Sequence, residues 1–316
     1  MINTIAHSPK VTIVTPTYNR ANFLPETIES ILNQTFQDFE YIVIDDGSRD
    51  NTREVVARYG DRVKYLYHNN RGEAASTNRG WSLARGEYFA MVSSDDPMLP
   101  DWLEKSVCHM DHNPDAIVGY PDWQMIDMNS KPIQTMIVHE FSNDILFGWL
   151  YCMAGPGTLI RKAALQDLIE LRSTQYKYVS DLGSWMNLAI KGGFTRIPYV
   201  LATWRNHPES TSIADKSMRR ARETINLVNE FYTAKNLPSE IKKYKRSCKS
   251  RSYFHAFVAV IDSYPLFAAY FYLRSWMLAP TEMVGISKEL QRPPLSTLIS
   301  VVKLRIKQKL NKDKVV

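Results

Sequence analysis

The chain has 316 residues, 44% apolar and 23% charged, an ordinary globular composition with no Gly/Ser linker, low-complexity tract or internal repeat; its length suits two domains, or one large domain with an appendage. The net charge of +6 is held unevenly: residues 1–212 carry 19 Lys+Arg against 25 Asp+Glu, and residues 213–316 carry 20 against 8, so the basic balance belongs to the C-terminal third. Cys108, Cys152 and Cys248 are far apart and odd in number, which argues against a disulfide framework or a zinc site.

The N-terminus, MINTIAHSPK, lacks the charged start and apolar stretch of a signal peptide, so the protein is expected in the cytoplasm. Val11 to Thr15 (VTIVT) is β-branched and apolar and predicts a buried strand, ended by a turn at PTYNR. Phe23, Leu24, Ile28, Ile31 and Leu32 then recur at helical spacing. Tyr41 to Ile44 (YIVI) predicts a second buried strand that stops at Asp45-Asp46-Gly47-Ser48. Ser48 or Asp50 is placed to cap the next helix, whose Val55, Val56 and Tyr59 share a face ahead of Gly60. Val63 to Tyr67 predicts a third strand, and Glu73 to Arg85 a third helix closed by Gly86. Tyr88 to Val92 predicts a fourth strand, cut off by two serines and the paired carboxylates Asp95 and Asp96.

Strands alternating with helices over short connections predict right-handed βαβ units in a doubly wound sheet. Tyr18, Asp45, Asp46, Asp95 and Asp96 each follow a strand directly, so they are expected to gather at the carboxyl edge, where open α/β sheets bind ligands. Adjacent carboxylates repel unless a cation joins them, and a divalent ion shared with substrate phosphates is the usual partner. Read in isolation, DDP is first of all a solvated Asp-Pro turn.

PTYNR (16–20), ILNQTFQDFEYIVIDDGSRDNT (31–52), NRG (70–72), ARGEYFAMVSSDD (84–96) and SDLGSWMNLAIKGGF (180–194) follow one another in an order that resembles the family 2 glycosyltransferases of the GT-A fold, over roughly residues 9 to 212. The resemblance implies an α/β fold: a GT-A type, Rossmann-like doubly wound sheet with a C-terminal helical extension. Residues 1–100 would form the nucleotide-sugar-binding half, 101–212 the acceptor-binding half and 213–316 the basic helical extension. It implies that Pro16 and Tyr18 line a uracil pocket, that Asp45 and Asp46 serve the base, with Asp46 at the uracil N–H, and that Asp95 binds the ribose. Asp96 would hold the Mg²⁺ or Mn²⁺ that bridges the diphosphate, Arg71 would pair with phosphate, and Asp181 would take the proton of the acceptor hydroxyl. His207, in WRNHPESTS (204–212), is a candidate contact to the diphosphate or the metal.

The chain departs from the family pattern at three places. Ser93 stands where a further Asp is common, Ser180 replaces the usual Glu before Asp181, and Thr77-Asn78 stands where relatives carry an Arg-Asn pair. From the residues alone, each candidate also has a plainer reading: Tyr18 as a packed loop tyrosine, DDGS as a turn and cap, Asp181 as an N-cap and His207 as a loop histidine. His109 and His112 have metal-like spacing but sit in a polar helix end. Trp102, Trp123 and Trp149 offer flat faces that suit sugar rings, although tryptophan is more often core.

Residues 216–234, 240–262 and 264–279 predict helices, and His255, Asp262 and Pro265 interrupt the apolar run from Tyr253 to Leu273 too often for a membrane span of about 20 residues. Leu295, Leu298, Ile299, Val302, Ile306 and Leu310 form one helical stripe among Lys303, Arg305, Lys307 and Lys309. Together with KKYKRSCKSR (242–251), this suits an anionic membrane surface or a solvated basic face packed on the catalytic domain. No motif points to nucleic acid. The expected function is inverting, metal-assisted sugar transfer from a UDP-sugar to a glycan or lipid-linked hydroxyl, in surface polysaccharide synthesis, by a protein on the inner face of the cell membrane. The alternative is a catalytically silent nucleotide-sugar-binding or membrane-recruiting scaffold; a nucleotidyltransferase is disfavoured because no Gly-rich loop follows the first strand.

Overall fold

The computed structural model describes residues 8–279, apart from 166, 167, 169, 209 and 211–216. The chain divides into two compact units, Met1–Phe141 with Cys152–Ser210, and Ser142–Tyr151 with Thr211–Val316.

The first unit is built on an eight-stranded sheet. β1 (Val11–Thr17), β2 (Phe39–Asp45), β3 (Lys64–Tyr67) and β4 (Tyr88–Met91) run parallel in the spatial order β3-β2-β1-β4, alternating along the chain with α1 (Leu24–Leu32), α2 (Thr52–Ala57) and α3 (Glu73–Leu83). After α4 (Trp102–His112), β5 (Ala116–Ile126), β6 (Pro132–Met136) and β7 (Leu159–Arg161) extend the sheet with antiparallel pairings. α5 (Ser180–Ala189) then leads to β8 (Gly193–Arg205), which lies parallel to β5.

The apolar spacing read from residues 23–32 does place Leu24, Ile28, Ile31 and Leu32 in the core, against Val11, Ile13, Tyr41 and Val43 of the central strands. Each such aliphatic side chain contributes roughly 1.5–3 kcal/mol when taken fully out of water. α3 is rich in small residues because it approaches β1 closely: a Cβ added at Gly80 would fall 2.4 Å from Val14 Cγ1.

The first strand does not end at Pro16 as the PTYNR turn predicts; Pro16 and Thr17 continue the ladder opposite Ile44 and Asp45. The reason is directional. The carbonyl of Val14 faces β4 and accepts from Val92 N–H, so two residues on, the missing N–H of Pro16 also faces that side, where the β1–β4 pairing has already stopped at Val14 and Met91.

The second unit holds α6 (Met218–Phe231), capped by the Ser217 hydroxyl, a short α7 (Ser239–Lys242), α8 (Lys245–Val260) and α9 (Pro265–Leu278). The helix predicted over 240–262 is thus two helices. Their core joins Ala221 and Ile225 to Ala256, Phe257, Val260, Ala268, Phe271 and Tyr272. Ser142–Tyr151 belongs to this unit: Phe147 is fully buried and stacks 5.6 Å from Phe231 and 6.2 Å from Tyr244, whose hydroxyl donates to Asp144 Oδ1 at 2.5 Å. No helix among the described residues is long and apolar enough to cross a membrane. The predicted stripe from Leu295 to Leu310 lies outside the described residues.

Candidate active site

The turns that follow β1 and β2 are stitched together. Asn19, whose φ of 51° places it in the left-handed region, donates its N–H to Ser48 Oγ (2.9 Å) and accepts from the Arg49 N–H through Oδ1 (2.8 Å). Ala21 N–H reaches Asp50 Oδ2 at 3.1 Å, and Asp50 Oδ1 accepts from both the N–H and hydroxyl of Thr52, the first residue of α2. Between these ties Tyr18 is 42% exposed, an open aromatic face beside the carboxyl edge, whereas Pro16 is buried within β1.

Asp45 ends β2 and Asp46 follows it, both side chains buried and employed. Asp45 accepts from Ser48 N–H (2.8 Å) and from the Tyr65 hydroxyl (2.6 Å), and desolvation together with that hydrogen bond pushes the Tyr65 phenol up. Asp46 accepts from the backbone N–H groups of Arg71 (2.7 Å) and Gly72 (2.9 Å), with His68 Nδ1 at 3.3 Å. These bonds fix the 69–72 loop that opens α3, while the Arg71 side chain itself is exposed. Gly47 permits the arrangement: its φ is +83°, and an added Cβ would meet Asn70 N at 2.7 Å.

Asp95 and Asp96 follow β4. Asp95 Oδ2 lies 2.9 Å from His207 Nε2 and 3.7 Å from Arg20 Nε. Asp96 is 5% exposed and accepts the Arg205 N–H at 2.7 Å. Burial first, and then the Asp95 carboxylate, hold Asp96 well above the usual carboxylate range, against the hydrogen bonds from Arg205 N–H and Ser93. His207 is 2% exposed and packs 5.1 Å from the Phe23 ring, and its Nδ1 is buried without a hydrogen-bond partner among the described residues. The Arg205 guanidinium, 1% exposed, ties the site together by donating to Asp95 O, Asp127 O, Met128 O, Ser130 Oγ and Glu26 Oε2. Sequence reasoning missed Arg205, although it sits two residues before the singled-out His207.

Asp181 stands on a different wall. It is the second residue of α5, exposed, with Oδ1 accepting from Leu182 N–H at 2.7 Å. α5 is fastened to α3 through the 171–172 segment: Ser184 Oγ donates to Leu171 O at 2.5 Å, and Arg172 exchanges two backbone hydrogen bonds with the Asn78 amide at 2.7 and 2.9 Å. Arg172 also pairs with Glu73. Desolvation, then the Asp181 carboxylate, hold the Cys152 thiol well above its usual range, with Arg172 opposing. Arg172, another residue sequence reasoning missed, therefore stands by the Asn78 side chain, where the family pattern leads one to look for a cation. No hydrogen bond or ion pair among the described residues joins Asp181 to Asp95 or Asp96.

The tryptophans have partners within the protein. Trp102 is fully buried and donates Nε1–H to Gly157 O at 2.7 Å, Trp123 packs edge-on to Trp204 at 6.1 Å, and Trp149 lies in the second unit beneath Arg251, 3.9 Å away. His109 is held by the Thr195 hydroxyl (2.9 Å) and His112 by its own helix (2.7 Å), so the pair does not converge on an ion.

The parallel half-sheet with an acid-lined carboxyl edge, continued past the Asp-Asp turn by antiparallel strands, is a GT-A type α/β fold. The model for glycosyl transferase family 2 matches residues 12–169, and the chain belongs to that family. An uncharacterized glycosyltransferase of Rickettsia prowazekii is 34% identical over 187 residues, 57% of this chain and 58% of that protein. Glycosyltransferase GlyG of Streptococcus pneumoniae serotype 4 is 28% identical over 179 residues, 55% of this chain and 53% of the other. The chain thus spans a little over half the length of these relatives. Among solved structures, Staphylococcus aureus TarS 1-349 in complex with UDP-GlcNAc superposes with TM-score 0.60 at 17% identity, over 84% of this chain and 89% of that one. A mannosyltransferase from Pyrobaculum calidifontis in complex with GDP-Man and Mn²⁺ superposes with TM-score 0.57 at 15% identity, over 96% and 88%.

Proposed function

We propose that this protein is an inverting glycosyltransferase that moves a sugar from a UDP-sugar to a hydroxyl of a glycan or lipid-linked acceptor. The observation that carries the reading is the Asp95–Asp96 turn at the end of β4. There burial first, and the Asp95 carboxylate second, hold the Asp96 carboxyl above its usual range, and His207 Nε2 lies on Asp95. Two adjacent carboxylates offer hard oxygen donors that suit Mg²⁺ or Mn²⁺. Among the described residues no three His, Cys, Asp or Glu side chains form a complete cage, and an ion that keeps waters and substrate phosphates needs none. Asp96, with Asp95, would hold the ion, which when bound supplies charge neutralisation to the departing diphosphate. His207, with Nε2 2.9 Å from Asp95 Oδ2, would orient that carboxylate from behind.

The rest of the edge suits the donor. Tyr18 offers an aromatic face for the base, the turn fixed by Asp45 and Asp46 frames it, and Arg71 stands exposed at the mouth of α3 for phosphate. Support for a nucleotide-sugar donor comes from the complexes of the structural neighbours with UDP-GlcNAc and GDP-Man. Asp181, exposed on α5, takes the proton of the acceptor hydroxyl as that oxygen attacks the anomeric carbon opposite the diphosphate.

A screen of UDP-sugars and GDP-mannose that reads released nucleotide, with a glycan or lipid-linked acceptor, tests the reading. Asp96→Asn is expected to lose at least about 100-fold in turnover. Asp181→Asn is expected to lose about 10²- to 10⁴-fold in kcat with UDP affinity unchanged. Wild-type rates in both variants would refute the assignment. UDP binding without turnover of any donor would favour the silent nucleotide-sugar-binding scaffold.

A further inference from the structure

α9 is apolar on both sides. Its inward stripe, which includes Ala268, Phe271, Tyr272 and Ser275, packs in the helical core of the second unit. Directly opposite, Leu266, Tyr270, Leu273 and Met277 recur at intervals of four, three and four residues and are 73%, 51%, 45% and 63% exposed. A helix clothed in apolar side chains all round is expected inside a protein or in lipid. With 14 residues, α9 is about 21 Å long, too short for a hydrocarbon core of about 30 Å. It can lie along a bilayer surface but not cross one.

Charge selects the occupant. α9 carries one charged side chain, Arg274, which is exposed and lies 5.6 Å over the Tyr253 ring. Its C-terminal end is tied to the start of α8, where Arg246 Nε donates to the Leu278 carbonyl. That contact brings Arg246, and with it the stretch that carries the exposed Lys242, Lys243 and Lys245, to the C-terminal end of α9, where Trp276 is 46% exposed. An apolar stripe ending in a cationic cluster with an interfacial tryptophan complements an anionic lipid surface. A second copy packed parallel along α9 would set one such cluster against another, and one packed antiparallel would bring no acidic side chain of α9 to either. Residues 280–316 are themselves basic, with 8 Lys+Arg against 3 Asp+Glu, and would meet the same repulsion.

We propose that the outward face of α9 is a membrane-docking surface that seats Leu266, Tyr270, Leu273 and Met277 among the acyl chains of an anionic bilayer, with Lys242–Arg246 on its head groups. The test is flotation of the full chain, without nucleotide sugar, on phosphatidylcholine vesicles and on vesicles in which about a third of the lipid is phosphatidylglycerol. The wild type is expected to bind the anionic vesicles at least about tenfold more tightly than the neutral ones, and less so as salt rises. The double variant L266E/L273E is expected to lose about tenfold or more of that binding. Its circular dichroism and thermal midpoint should stay unchanged, because both side chains project outward. Should the double variant melt early, Met277→Glu gives the same reading from one exposed position. Absence of wild-type binding, undiminished binding by the variants, or a lipid-free dimer that the substitutions dissociate would overturn the proposal. The assay involves no sugar transfer, so its failure leaves the catalytic reading untouched.

Discussion

Arg205 shows how one side chain sets a site it need not enter. Its backbone N–H fixes Asp96, while its guanidinium collects the carbonyls of Asp95, Asp127 and Met128, the Ser130 hydroxyl and Glu26, and lies 5.1 Å over the Phe23 ring. The planar fork reaches several acceptors at once, which a lysine ammonium cannot. Arg205→Met is therefore expected to cost about 2–4 kcal/mol in urea unfolding, with Arg205→Lys between it and wild type. Both variants keep the backbone bond to Asp96, so UDP affinity should fall less in Arg205→Lys than in Arg205→Met. Equal stability of all three proteins would mean that the network adds nothing beyond its packing.

At the scale of elements, the turns matter more than the strands they join. Gly47→Ala would force φ +83° on an alanine and push its Cβ against Asn70 N, displacing the loop whose Arg71 and Gly72 N–H groups Asp46 holds. The expected cost is about 1–3 kcal/mol, with UDP affinity lowered by about tenfold in calorimetry. The parallel half of the sheet is legible in the sequence because β1, β2 and β4 are short apolar runs with turn residues directly behind them. β5 and β8 are not: Gly119, Pro121 and Pro198 interrupt the runs, the β5–β8 ladder shifts register at Ala116, Pro121 and Asp122, and the two strands pair across α5 and β7. The acids at the strand ends are likewise legible, whereas Arg205 and Arg172 act through contacts far along the chain that no local pattern announces. On α8, desolvation and the nearby Arg251 and Arg220 lower His255 to about 4 from an ordinary 6.5. A depressed folded value adds stability above the unfolded value that is lost as pH falls through the window between them. The second unit should thus weaken from about pH 6.5 to 4, by up to ~3 kcal/mol, and His255→Gln should flatten that slope in pH-dependent melting.

On the scale of the whole molecule, the order of residues along the chain and the order of folding units do not coincide. Ser142–Tyr151 lies inside the stretch that the family model matches, 12–169, yet it belongs to the helical unit, where Phe147 is buried on Phe231 and Tyr244. Nothing in LFGWLY distinguishes it from a core segment of the sheet, so no local pattern in the sequence assigns it to the helical unit. A chain with two cores need not unfold in one step, and a ligand stabilises the unit that binds it. Calorimetry is therefore expected to resolve two transitions. UDP with Mn²⁺ should raise the one belonging to the sheet unit, by about 2.7 kcal/mol at a hundredfold excess over Kd. Phe147→Ala should lower the other by about 3–5 kcal/mol, because an aromatic ring is removed from a closed core. If Phe147→Ala instead lowered only the UDP-sensitive transition, residues 142–151 would belong energetically with the sheet, and the division into units would have to be redrawn there.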